Sequence, residues 1–154
     1  MSSRTLTSCL VAASLAAAPA AHAALCSIDS VSPIVFGPYD GLTRNTVDAT
    51  GSITFGCFLV GLFDSITIDI SRGSSTSFSP RTLMAGTKTL QYNLYLDAAR
   101  SSIWGDNTSG TSHFGPFRPP LIGSTTRTIY GRIFSGQNVG AGTYTDTLVV
   151  TLNY

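Results

Sequence analysis

The sequence contains no glutamate and a single lysine, Lys88. Long helix-forming side chains are scarce while Thr, Ser and Gly abound, a composition that favours strands and turns over helices. Two histidines and no Glu leave acid–base or triad chemistry almost no material. There is no Gly-rich phosphate loop, no G-x-S-x-G and no H-E-x-x-H, and the eight Asp residues make no defensible catalytic pair. His113 has no neighbouring Cys or second His, which argues against a metal site. The formal net charge is +1, without the basic excess that nucleic acid or an anionic membrane would require. No apolar run is long enough to span a bilayer as a helix. The composition therefore points away from an enzyme and from any cofactor.

What is present begins with an export signal. Arg4, the apolar run Leu10–Ala18 and the small-residue site Ala21-His22-Ala23 read as a secretory signal peptide over residues 1–23, cut before Ala24. Cys9 and His22 leave with it, so residues 24–154 keep Cys26, Cys57 and His113. An even pair in an exported chain is most simply one disulfide. Closing that loop contributes about 3.7 kcal/mol on the chain-entropy argument. Length allows one domain with a single core.

Period-two alternation then predicts strands at Gly51–Cys57, Ser65–Ser71, Leu90–Leu96 and Arg127–Ile133, with shorter ones at Ile34–Asp40 and Arg81–Ala85. Ile53, Phe55 and Cys57 share one face, as do Ile66, Ile68 and Ile70, and Leu90, Tyr92, Leu94 and Leu96. Asp97–Ser124 reads as one long irregular stretch. Six or seven strands with turn signals between them predict an all-β sandwich of Greek-key or immunoglobulin-like type.

The last strand poses a problem. From Gly142 to Tyr154 the chain alternates, with Tyr144, Leu148, Val150, Leu152 and Tyr154 on one face. An apolar strand there is either paired on both sides or leaves an adhesive edge. Either the fold buries that edge itself or a partner does. Within the irregular stretch, Trp104, His113, Phe114 and Phe117 suit surface recognition, although the structural reading, with Trp104 covering one end of the sandwich and Asp106 capping a turn, is the favoured one for that pair. Phe114–Leu121 is the part most particular to this chain. The sequon Asn107-Thr108-Ser109 is taken as chance.

Several stretches, in order, resemble the spore coat protein U domain, which is shared by subunits of archaic, Csu-type chaperone-usher pili. They are Val35-Phe36-Gly37-Pro38-Tyr39-Asp40, the Cys57 strand, Leu90–Tyr95, Arg100 with Trp104-Gly105-Asp106, Tyr130-Gly131-Arg132-Ile133 with Gln137, and Ala141–Asp146 with the terminal strand. The resemblance implies an immunoglobulin-like sandwich that lacks its last strand and is completed by a donor strand. It implies a periplasmic chaperone, an outer-membrane usher and other pilus subunits as partners, and a cell-surface pilus as the destination. Tyr144, Leu148, Val150, Leu152 and Tyr154 would line the acceptor groove. With only Ala24 and Leu25 ahead of Cys26, and Cys26 tied to Cys57, the cleaved chain would accept a strand without donating one, as a terminal or tip subunit or a minor adaptor rather than the main shaft pilin. The alternative is a self-contained secreted β-sandwich that acts as a binding or coat protein.

Overall fold

A computed structural model describes residues 25–58 and 65–154. The expected signal peptide lies outside these residues. Eight strands follow one another: β1 Leu25–Ser32, β2 Val47–Phe58, β3 Ile66–Ile70, β4 Arg81–Ala85, β5 Lys88–Tyr95, β6 Phe114–Phe117, β7 Ile122–Ile133 and β8 Val150–Asn153. All pairings between these strands are antiparallel. The sheets have orders β1-β2-β7-β5-β4 and β6-β3-β8, so β1–β2 and β4–β5 are sequential neighbours while β2–β7, β7–β5, β6–β3 and β3–β8 are not, and the chain crosses between sheets. This is the all-β, immunoglobulin-like sandwich that the alternation predicts. No helix occurs among the described residues.

The core forms where period-two residues from both sheets meet. Ile53, Phe55 and Cys57 of β2, Ile66, Ile68 and Ile70 of β3, and Leu90, Tyr92 and Leu94 of β5 are all buried, with Ile129 and Ile133 of β7. Cys26 faces Cys57 in the β1–β2 register and is bonded to it. The disulfide thus staples two strands that are already paired.

Four expectations are corrected. Ser27–Ser32, to which the alternation assigns no strand, belong to β1, and a register shift between Ile28 and Ser30 interrupts their period. Ile34–Asp40 is not a strand, although Ile34, Phe36 and Tyr39 do turn inward. That segment crosses the inner face of the larger sheet over two glycines. A Cβ on Gly51 would stand 2.6 Å from the Ser32 carbonyl oxygen, and one on Gly131 would stand 2.7 Å from the Phe36 ring. Third, the irregular stretch contains β6 and the start of β7. β6 includes the cis bond Gly115–Pro116 and lies at the edge of its sheet, the position where proline is tolerated. Fourth, the terminal strand is regular only over Val150–Asn153, because the chain changes sheets on the way. Thr145 pairs with Met84 of β4 in the larger sheet, while Val150–Asn153 pair with β3 in the smaller one.

Candidate functional site

The terminal segment has an open edge. Thr145 exchanges both backbone hydrogen bonds with Met84, and Val149 directs its backbone groups at Ser71, whose N–H donates to the Val149 oxygen at 2.9 Å. Backbone direction alternates along an extended strand, so Leu148, Val150 and Leu152 send their N–H and C=O groups to the opposite side. No strand pairs there among the described residues: β8 is the last strand in its sheet. The side chains of Tyr144, Leu148, Val150 and Leu152 meanwhile pack against the core, and Tyr154 is 65% exposed.

A cleft of about 1150 Å³ lies between residues 35–44 and 136–144 and reaches the start of the terminal segment at Thr143 and Tyr144. Phe36, Tyr39 and Leu42 form one wall, Val139 and Tyr144 the other, and Leu83, Leu90 and Ile133 line it deeper in. No backbone hydrogen bond joins Ile34–Tyr39 to a strand among the described residues, and Gly37 turns the segment with a positive φ of 72°. The cleft therefore has apolar sides and main-chain groups without strand partners at its rims. A strand-shaped ligand requires both features.

Polar anchors hold the terminal segment in place. Asp146 accepts hydrogen bonds from the Tyr92 hydroxyl at 2.6 Å, the Ser74 amide at 2.8 Å and the Thr147 amide at 2.9 Å. Burial first, and then the bond to Asp146, pushes the Tyr92 phenol well above its ordinary range. Arg81, fully buried, donates to the carbonyls of Ser71, Ile70 and Trp104 and to Asn93 Oδ1 at 2.6–3.2 Å. Burial lowers the Arg81 pKa, and the nearby Tyr92 and Asp146 oppose that effect. One cation thus ties the end of β3, the middle of β5 and the Trp104 loop together behind the open edge. Periodicity gives no signal for Arg81, because an alternating pattern marks burial and says nothing about a charge satisfied by carbonyls.

Of the expected recognition residues, Trp104, Phe114 and Phe117 lie together, with neighbouring ring centroids 6.2 and 5.4 Å apart. Trp104 is 1% exposed, and its indole N–H donates to the Ile68 carbonyl at 2.8 Å, so it presents nothing to solution and covers the core instead. Phe114 and Phe117 lie on β6, partly buried, each 6.2 Å from the Phe55 ring. His113 faces elsewhere, its Nδ1 3.2 Å from Asp69 Oδ1, and Asp69 Oδ2 accepts a bond from Asn153 Nδ2 at 2.8 Å. Asp106 accepts the Thr108 amide and caps its turn. No group of His, Cys, Asp or Glu suited to a metal occurs among the described residues.

The geometry defines a class: an immunoglobulin-like sandwich with an unpaired terminal edge. The chain belongs to the Spore Coat Protein U domain family, whose domain matches residues 11–151. It is 36% identical over 135 residues to Protein U of Myxococcus xanthus, a match covering 77% of this chain and 70% of that protein. Among solved structures it is similar to a chain in the crystal structure of the CsuC–CsuE chaperone–tip adhesion subunit pre-assembly complex, from the archaic chaperone-usher Csu pili of Acinetobacter baumannii. The TM-score is 0.51 at 16% identity, covering 86% of this chain and 40% of that one. At that identity the likeness concerns the fold.

Proposed function

We propose that this protein is an exported structural and adhesive subunit of an archaic chaperone-usher pilus, completed by a strand supplied from outside. The observation that supports this best is the free main-chain edge at Leu148, Val150 and Leu152, in a terminal segment whose start at Tyr144 lines the cleft between residues 35–44 and 136–144. Main-chain pairing along the edge would supply affinity, and alternate side chains of the donor would fill the cleft. A periplasmic chaperone offers the strand first, and a neighbouring subunit replaces it at an outer-membrane usher. Residues 1–23 act as the signal peptide and are removed. The protein performs no catalysis.

A terminal place in the fibre fits the same picture. Leu25–Ser32 is already engaged with β2, and Cys26 is bonded to Cys57. A strand engaged in this way is not free to enter a neighbour. The second reading, a self-contained coat or binding module, draws support from the Met84–Thr145 bridge, which secures the terminal segment without a partner.

Periplasmic expression of the full chain, alone and with an archaic-type chaperone, tests the proposal. Accumulation only as a chaperone complex is the expected result. A monomer that stays soluble and unfolds cooperatively without a partner would establish the self-contained module instead.

A further inference from the structure

β7 has a free edge of its own. It pairs with β2 along its whole length but with β5 only over Tyr130–Ile133. Just past β7, the Phe134 amide donates to the Gln91 carbonyl at 3.3 Å, so even-numbered residues of β7 direct their main chain towards β5. Alternation carries this to Thr128, Thr126 and Ser124, which lie beyond the end of β5. No backbone hydrogen bond reaches these three from that side among the described residues. Their side chains are exposed on the outer face. Two of them are held towards β2: Ser124 Oγ donates to Asp29 Oδ2 at 2.8 Å, and Thr126 Oγ1 lies 2.9 Å from Thr54 Oγ1. The edge itself is left clear.

Strand edges are ordinarily protected against pairing with another chain. Here β1 is broken by the register shift between Ile28 and Ser30, β6 carries Pro116, and β4 is bridged by Thr145. Ser124–Thr128 has no proline, no lysine and no register shift against β2. A copy of the same strand complements it. With two copies antiparallel about a two-fold axis at Thr126, Thr126 opposes Thr126 and Ser124 opposes Thr128, and cross-strand hydroxyl pairs of this kind stabilise a sheet. This register sets Arg127 of one copy opposite Thr125 of the other. Moving the axis to Arg127 would set two guanidinium groups face to face, so charge selects the register centred on Thr126.

We propose that the free edge of β7 over Ser124–Thr128 is a self-association surface, joining two copies of this chain side by side through an antiparallel β7–β7 pair centred on Thr126. The surface is separate from the terminal edge at Leu148, Val150 and Leu152, and its test does not depend on the pilus reading.

The experiment is sedimentation equilibrium of the full chain over a concentration series, in whichever form it purifies, alone or with a chaperone, with amide hydrogen exchange at both ends of the series. The expected result is a reversible doubling of the sedimenting unit with a Kd of about 100 µM or tighter. Protection of the Ser124, Thr126 and Thr128 amides should appear only in the doubled form. Thr126→Pro removes the central donor at a position whose N–H has no partner within the chain, and should abolish association. Thr126→Lys brings two ammonium groups together at the axis and should weaken association about tenfold or more, which keeps the test valid if the proline variant fails to fold. Thr87→Lys adds the same charge at the exposed β4–β5 turn and should leave association unchanged. A unit that stays single up to about 1 mM overturns the proposal. So does doubling that protects Val150 and Leu152 in place of the β7 amides, or equal weakening by Thr87→Lys. Protection of the β7 amides at every dilution of a chaperone complex would assign the edge to the chaperone and overturn it as well.

Discussion

The Tyr92 hydroxyl donates to Asp146 Oδ2 at 2.6 Å, joining β5 to the segment that leads into the last strand. The same carboxylate accepts the Ser74 and Thr147 amides through its other oxygen. This one side chain therefore sets where the terminal segment leaves one sheet for the other.

Asp146→Ala strands all three donors and should lower stability by about 2–3 kcal/mol, whereas Tyr92→Phe, which removes only one bond, should cost about 1 kcal/mol. Urea unfolding of the two variants and of the double variant checks this. Coupling in the cycle is expected, because the two residues share a bond.

Arg81→Met should be more damaging than either. It leaves the carbonyls of Ile70, Ser71 and Trp104 without their buried donor, and a loss of more than about 3 kcal/mol is expected. Arg81→Lys should recover only part of that loss, since an ammonium cannot reach four acceptors in a fork. Denaturant midpoints rank the three proteins.

Gly131→Ala places a methyl group within 2.7 Å of the Phe36 ring. The crossing segment must then shift, at a cost of about 1–3 kcal/mol. Because Phe36 also lines the cleft, capture of a strand partner should weaken as well, which pull-down of the chaperone with the variant reads directly.

Asp48 receives two bonds from Arg132, at 2.7 and 2.9 Å, and lies 3.3 Å from Arg100. The Arg132 bond holds its carboxyl below the ordinary aspartate value. A lowered folded-state pKa stabilises at pH values above that ordinary value of 3.8, and the gain is lost as pH falls through the lower folded one. Asp48 is 37% exposed, so solvent screening holds the effect to about 1 kcal/mol or less. Asp48→Asn should therefore be slightly less stable than the parent near neutral pH, should converge with it in acid, and should show a smaller difference at high salt.

Reduction of Cys26–Cys57, or Cys57→Ser, should lower stability by about 3–4 kcal/mol, seen as a drop in denaturation midpoint. An unchanged midpoint would mean that β1–β2 pairing alone suffices.

Much of this was readable from alternation, because β2 and β3 each bury one face and β5 begins to alternate at Leu90–Tyr92 before both its faces become buried. Ile53 with Phe55, Ile66 with Ile68 and Leu90 with Tyr92 all lie where period two puts them. Alternation reports which side chains are buried, however, and not whether the backbone is paired. Ile34 and Phe36 alternate properly, yet their segment is no strand, since what seats it is the absence of side chains at Gly51 and Gly131 in distant strands. Phe114–Phe117 is paired yet was hidden, since Gly115 and Pro116 break the pattern within four residues. The apolar face of the terminal segment was legible. Its change of sheet at Thr145–Val149 was not, because that depends on where Met84 and Ser71 end up.

The open edge at Leu148, Val150 and Leu152 offers main chain to the outside while its side chains face the interior. A conventional alanine scan of these positions would report a loss of packing and leave the contribution of the amides and carbonyls unmeasured. The edge could also keep its docking geometry while its sequence drifts among apolar residues of similar size. Backbone chemistry, such as an amide-to-ester exchange at Val150, is the perturbation that would separate attachment from stability.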